Sequence, residues 1–301
     1  MGVTYNGLKQ NINNMYEPKS PEELEGEIIS LLKEGKTRRD IAKKYRVGKN
    51  KVTGWFKKFG INVKKDYGEF RSPYNVHVFD IIDTEEKAYW LGFLYADGCV
   101  SYDASRNSYR IGLALKSIDI EHLKKFKAFL QDSRDDSVIK IYKYGPNGNK
   151  IHEGCRYIVS NEHLAKELIN LGCTFKKSLT LTFPDIKKFN NPDLIFDFIR
   201  GYIDGDGSLS KTTLKSGKPY PHINIVGTNN FLTGVIKYLP QFGNIYTLKG
   251  GRVFQANSYG KKAQEIANKL YGHATIYLDR KYERFKEYFE YKDGEGNKDG
   301  E

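Results

Sequence analysis

Between residues 24 and 59 apolar side chains recur at helical intervals: Leu24, Ile28, Leu31 and Leu32, then Ile41, Ala42 and Tyr45, then Val52, Trp55, Phe56 and Phe59. Steps of three and four place each set on one helix face, so the pattern predicts three short helices. Gly35 closes the first, Thr37 caps the second, and Val47-Gly48 breaks the chain before a third that opens at Lys49. Further along, Tyr109 to Lys116 and His222 to Gly227 read as strands, followed by helical stretches Asp119 to Leu130 and Asn230 to Leu239. Val138 to Tyr144 and Arg156 to Ser160 form a hairpin across a Gly-Pro-Asn-Gly turn. Ile245 to Lys249 and Arg252 to Asn257 answer it across Gly250-Gly251. Closing helices begin near Glu162 and Lys261.

Two apolar stretches of helical length repeat one another: AYWLGFLYADGCV at 88–100 and FDFIRGYIDGDGSL at 196–209, with their Asp-Gly ends 109 residues apart. Small residues stand four apart before each end, Gly92 and Ala96 in one and Gly201 and Gly205 in the other. Four apart is one helix face, and small side chains there let two helix backbones approach closely, so the segments are built to pack on each other. Their ends then bring Asp97 and Asp206 together in the last turn of each helix, where the macrodipole already disfavours a carboxylate. A cation offsets this, and a hard divalent ion on carboxylate and carbonyl oxygens is the simplest, magnesium fitting best. A single Asp-Gly end would read as an ordinary turn closing a buried helix; the duplication argues against that. A calcium loop starting at Asp204 fails, because its sixth position is Leu209 and its twelfth Lys215.

Charge adds a second module. The chain of 301 residues carries a formal net charge of +12. Its length suggests two domains, or one with an appendage, and the excess suggests a polyanionic partner, nucleic acid ahead of an acidic membrane surface. Residues 33 to 65 hold thirteen basic side chains against Glu34 and Asp40, so nearly the whole excess sits with the three predicted helices. A small helical bundle with a solvated basic face is the plain alternative; the one-signed excess and the helix spacing weigh against it. Apolar residues at 39% and aromatics at 14% predict a packed fold, with only the stretch from Asp293 to Glu301 reading as a loose tail. Cys99, Cys155 and Cys173 have no paired spacing, and the six histidines no metal-ligand spacing, so a reducing compartment and ordinary histidine roles are expected. No apolar run nears the ~18 residues of a spanning helix and the start lacks a signal-peptide core. The expected location is therefore intracellular, a bacterial or phage-infected cytoplasm or an organelle matrix.

The run TRRDIAKKYRVGKNKVTGWFKKFGI at 37–61 resembles the helix-turn-helix of resolvase-like and regulator proteins. Such a unit faces base edges with the start of its last helix, which nominates Lys49, Asn50, Lys51 and Thr53, and leaves Lys57 and Lys58 for phosphate. The segments WLGFLYADG (90–98) and IRGYIDGDG (199–207) resemble the paired signature helices of LAGLIDADG homing endonucleases. That resemblance implies an α+β fold of two pseudo-symmetric αββαββα repeats forming a DNA-binding saddle, here preceded by a small all-α helix-turn-helix domain. The expected organisation is a module at 1–65, a linker at 66–83, repeats at 84–187 and 188–292, and a tail at 293–301.

The resemblance further implies a site-specific double-stranded DNA endonuclease that serves intron homing. Asp97 and Asp206 would be its metal-binding acids, with the carbonyls of Ala96 and Gly205 completing the shell. Lys177 and Lys281, or their neighbours Lys176 and Arg280, would stand near the scissile phosphates. The first signature departs from the second at Tyr95, which stands where the second has Asp204; that position is not the metal-binding one. The cofactor is expected to be Mg²⁺, with Mn²⁺ as a substitute. Two unequal repeats in one chain imply a monomer and a long, non-palindromic target. Strand alternation nominates Arg110, Lys140 and Tyr142 in the first repeat as DNA contacts, and His222, Asn224, Lys249, Gln255 and Asn257 in the second. A DNA-binding regulator that does not cut, or an intron RNA maturase, is the alternative on the same fold.

Overall fold

The computed structural model describes residues 20–63, 72–145, 151–175, 177–213, 219–248 and 250–289. The chain divides into two compact units, Met1–Ser72 and Pro73–Glu301.

The first unit holds three helices, α1 (Pro21–Lys33), α2 (Arg38–Lys44) and α3 (Lys49–Lys58). Ser20 with Glu23, and Thr37 with Asp40, form reciprocal capping boxes that satisfy the first free amides of α1 and α2. Gly35 turns the chain out of α1 at φ +74°. The break before α3 is made one residue earlier than expected, by Arg46 at φ +52°, and Gly48 then stands at the N-cap without a side-chain bond. Ile28, Leu31, Leu32, Ile41, Ala42, Tyr45, Val52 and Phe56 form the core, the same periodic positions that predict the helices.

In the second unit one order of elements occurs twice. The first pass is α4 (Glu85–Ala96), β1 (Gly98–Asp103), β2 (Ser108–Lys116), α5 (Ile120–Phe129), β3 (Lys140–Tyr144), β4 (His152–Val159) and α6 (Glu162–Asn170). The second is α7 (Leu194–Asp206), β5 (Gly207–Thr213), β6 (Pro219–Gly227), α8 (Asn229–Tyr238), β7 (Ile245–Thr247), β8 (Phe254–Tyr259) and α9 (Gly260–Tyr271). A further helix, α10 (Asp279–Tyr288), ends the described chain and is absent from the pattern-based expectation. Each half builds one antiparallel sheet, in the orders β1-β2-β4-β3 and β5-β6-β8-β7. Inward residues alternate along the strands, Ile111 and Leu113 with Tyr157 and Val159 in one sheet, Ile223 and Ile225 with Ala256 and Ser258 in the other. They pack in one continuous core with α4 and α7.

The linker expected at 66–83 is shorter than its composition implied. Tyr74, Val76, Val78, Phe79 and Ile82 are buried in the core of the second unit. The Tyr74 hydroxyl accepts from Ser160 N–H and donates to its carbonyl, both at 3.0 Å. Ile82 pairs in parallel with Phe189, which joins the lead-ins of the two halves just before α4 and α7. The second unit begins at Pro73, and Val76, Val78, Phe79 and Ile82 go inward soon after it. The expected tail at 293–301 lies outside the described residues.

Candidate functional site

Helices α4 and α7 meet backbone to backbone. A Cβ on Gly92 would lie 1.9 Å from the Phe198 carbonyl oxygen, and one on Gly201 would lie 2.0 Å from that of Tyr89. Only hydrogen fits at either crossing point. One turn on, the Cβ of Ala96 would be 2.2 Å, and the Oδ2 of Asp97 3.3 Å, from a Cβ placed on Gly205. The first signature's acid therefore lies directly against the end of the second signature's helix. α4 ends at its C-cap Asp97, and α7 ends at Asp206.

Burial first, and then the neighbouring Asp206, push the Asp97 carboxyl up to about 6, with Lys281, Lys177 and Arg280 pulling the other way. Asp206 is open to solvent at its side chain. It too is raised, by the desolvating mass of the helix ends around it, against the pull of Lys177 and Lys281. Two acids held above their ordinary range at adjoining helix ends offer only hard oxygen donors. Such donors are of the kind that a divalent ion of the magnesium type takes.

Lys177 and Lys281, both named from the sequence, are buried at these same helix ends. The Lys177 ammonium donates to the Ala96 carbonyl at 2.7 Å. Lys281 donates to the carbonyls of Ile203, Asp204 and Gly207 at 2.5, 2.7 and 2.8 Å. These carbonyls belong to the last turn of each helix, where partial negative charge collects, so the lysines offset part of the dipole cost that the sequence reading gave to a metal alone. Burial lowers Lys281 to about 8, even though Asp204 favours its charged form. Ala96, expected as a metal ligand, keeps a second lone pair beside the one Lys177 takes. Of the rival basic residues, Arg280 binds the Asp119 carboxylate at 3.0 Å, while Lys176 lies outside the described residues.

The structure also uses a residue that the sequence reading passed over. Asp204 is fully buried and accepts from Tyr271 Oη at 2.7 Å, Tyr89 Oη at 2.8 Å and Leu278 N–H at 2.7 Å. Burial raises its carboxyl against these donors and the charge of Lys281. Through Leu278 it fixes the start of α10, three residues ahead of Lys281. Tyr95, its counterpart in the first signature, instead donates to the Leu171 carbonyl just ahead of Lys177. The sixth signature position thus ties down the lysine-bearing segment in both halves by different chemistry. The unequal pair Tyr95 and Asp204 was the only hint in the sequence.

Strand register places the nominated sheet residues on shared open faces. Lys140 pairs with Arg156 and Tyr142 with Gly154, on the same side as Arg110. Arg156, not nominated, lies with its guanidinium 5.5 Å from the Tyr142 ring centre and adds a cation to that face. In the second sheet Asn224 pairs with Asn257, and His222 and Gln255 flank them. The Asn257 Oδ1 accepts from Gln255 Nε2 at 2.7 Å and meets His222 Nε2 at 2.9 Å. Lys249 lies outside the described residues. In the first unit Lys49, Asn50, Lys51, Thr53, Lys57 and Lys58 of α3 are all exposed, and Thr53 Oγ1 accepts from Arg38 at 2.9 Å.

The fold is similar to that of LAGLIDADG homing endonucleases. Meganuclease I-SmaMI bound to uncleaveable DNA shares 14% identity at a TM-score of 0.45, over 65% of this chain and 86% of that one. The I-LtrWI LAGLIDADG homing endonuclease bound to target DNA shares 12% at a TM-score of 0.45, over 71% and 89%. I-GzeII in complex with its DNA target shares 14% at 0.42, over 67% and 88%. No family model matches the sequence, and no curated protein matches it. Among the described residues, no helix is long and apolar enough to cross a membrane.

Proposed function

We propose that the chain is a LAGLIDADG homing endonuclease, a monomer that cuts both strands of a long, non-palindromic DNA site with Mg²⁺, or Mn²⁺ in its place. One observation carries the reading: two acids of duplicated helices meet at a backbone-tight seam, each end braced by a buried lysine. Asp97 and Asp206 would hold the ions, together with carbonyls of the same helix ends. A divalent ion there supplies charge neutralisation at a phosphate and activation of a water. The chain's own part is placement: the glycine seam fixes the separation of the acids, and Lys177 and Lys281 hold the helix-end carbonyls while setting positive potential beside the scissile bonds.

The open faces of the two sheets, carrying Arg110, Lys140, Tyr142 and Arg156 in one and His222, Asn224, Gln255 and Asn257 in the other, would lie along the duplex as a saddle. Their amide, imidazole and guanidinium groups suit base edges. The first unit acts as a helix-turn-helix module with Lys49, Asn50, Lys51 and Thr53 at bases and Lys57 and Lys58 at phosphates. Two tethered units raise affinity through effective concentration.

The test is cleavage of a randomised double-stranded DNA library by the purified protein, with Mg²⁺ and with EDTA. A magnesium-dependent break enriched at one long site is the expected result, lost in Asp97→Asn and Asp206→Asn proteins that still bind. Cleavage of both strands by either variant would refute the assignment. Binding without cleavage by the parent would move the reading to a regulator or maturase.

A further inference from the structure

Three potential ligands converge on the surface of the second unit, unlike the paired acids in chemistry. Asp80 is shared between two imidazoles: its Oδ2 lies 2.7 Å from His77 Nδ1, and its Oδ1 lies 2.7 Å from His163 Nε2. The two rings approach to 4.6 Å between centres, and one ligand atom from each of the three residues falls within 4.8 Å of the others. We propose that His77, Asp80 and His163 bind a transition-metal dication of the zinc class, which staples the lead-in of the second unit to α6.

Two imidazole nitrogens and one carboxylate are the donor set of zinc and its borderline neighbours, whereas Mg²⁺ takes oxygen and leaves imidazole. The distances suit as well, since a tetrahedral ion with bonds of ~2.1 Å holds its ligand atoms ~3.4 Å apart. The widest separation here therefore closes by rotation of exposed side chains, without moving the backbone. Finally, the ligands are carried on fixed backbone. His77 N–H donates to Asn75 Oδ1 at 2.9 Å and Asp80 N–H to the His77 carbonyl at 3.2 Å, which sets the turn bearing two of them. His163 is the second residue of α6, whose N-cap Asn161 accepts from Leu164 N–H at 2.9 Å.

Side-chain exposures of 48% for His77, 36% for Asp80 and 39% for His163 leave the site open to ions and leave room for water as a fourth ligand. The metal would replace the imidazole protons that now face Asp80. Sequence inspection does not find the site, because His77 and His163 are 86 residues apart and come together only when the lead-in docks beside α6.

The experiment uses the full chain carrying Asp97→Asn and Asp206→Asn, with Cys99 alkylated and Mg²⁺ in excess, titrated with Co²⁺. The expected result is a visible ligand-field band that saturates at one equivalent and is displaced by Zn²⁺. His77→Ala, Asp80→Ala and His163→Ala each weaken binding by roughly a hundredfold. Zn²⁺ at about a hundred times its Kd raises the melting temperature by roughly 5 °C, and this rise is lost in His163→Ala. The three side chains are partly exposed, and far-UV circular dichroism is to check that each variant is folded. Absence of the band, or a band unchanged by His77→Ala and His163→Ala, would overturn the proposal.

Discussion

Among the described glycines the tightest approach to another backbone is at the seam between α4 and α7, and Gly92→Ala tests it. The new methyl carbon would lie 1.9 Å from the Phe198 carbonyl oxygen, 2.8 Å from its carbon and 3.0 Å from Tyr202 N, all backbone atoms. No rotamer relieves such a contact, so α4 and α7 must separate by about 1 Å even to reach the 3.0 Å below which real Cβ contacts essentially do not occur. Overpacking of this kind costs roughly 1–3 kcal/mol, and an all-backbone contact belongs at the upper end. Gly201→Ala meets Tyr89 in the same way at 2.0 Å, but the double variant loses less than the sum because the first separation already opens the gap. Urea unfolding followed by the fluorescence of Trp90, fully buried on α4, reads the second unit alone once Trp55 is replaced by Phe. The control is Gly26→Ala on α1, where a Cβ meets nothing within 4 Å. There the lost unfolded-state entropy and the gained helix propensity stabilise the first unit by roughly 0.4–1 kcal/mol. A Gly92→Ala protein within ~0.5 kcal/mol of its parent would show that the helices do not meet at this seam.

Three further outcomes follow from the same geometry. A carboxyl raised from 3.8 to about 6 favours its neutral form in the folded state. The parent's stability without divalent ions should therefore decline as pH rises from about 4 through 6, by at most roughly 3 kcal/mol. Asp97→Asn should make that decline shallower, leaving the part that the raised Asp206 and Asp204 carboxyls contribute, and parallel urea-unfolding curves of parent and variant from pH 4 to 7 would contradict it. Arg200 is buried and donates to Glu85 and Asp197 at 2.7 Å each and to the carbonyls of Leu270 and Ile276. Arg200→Met leaves two carboxylates and two carbonyls without it and should cost roughly 3–5 kcal/mol by denaturant titration; a loss below ~1 kcal/mol would show the network to be dispensable. If Lys57 and Lys58 meet phosphate, replacing either by Ala should weaken binding evenly across DNA sequences. Each should also lower the slope of log K against log salt by about 1, whereas a slope unchanged in both variants would remove them from the interface.

Sequence alone carried the local order. Apolar steps of three and four mark α1, α2 and α3, and alternation marks the strands of both sheets, because helix and strand periods are properties of consecutive residues. The duplicated Gly-x-x-x-small pattern even foretold a contact between segments 109 residues apart, since small side chains on one face leave a helix little else to pack against. Tertiary structure alone decided what fills the space around that contact. Lys177 and Lys281 were legible as basic residues near the site, but their role as caps on the ends of α4 and α7 depends on folding across 81 and 77 residues. Asp204 looked like a spare acid until the chain brought Tyr89, Tyr271 and Leu278 around it. His77, Asp80 and His163 have no spacing to betray them. A buried polar group takes whichever partners the fold delivers, and those are chosen by the packing of whole elements, which no local window of sequence contains.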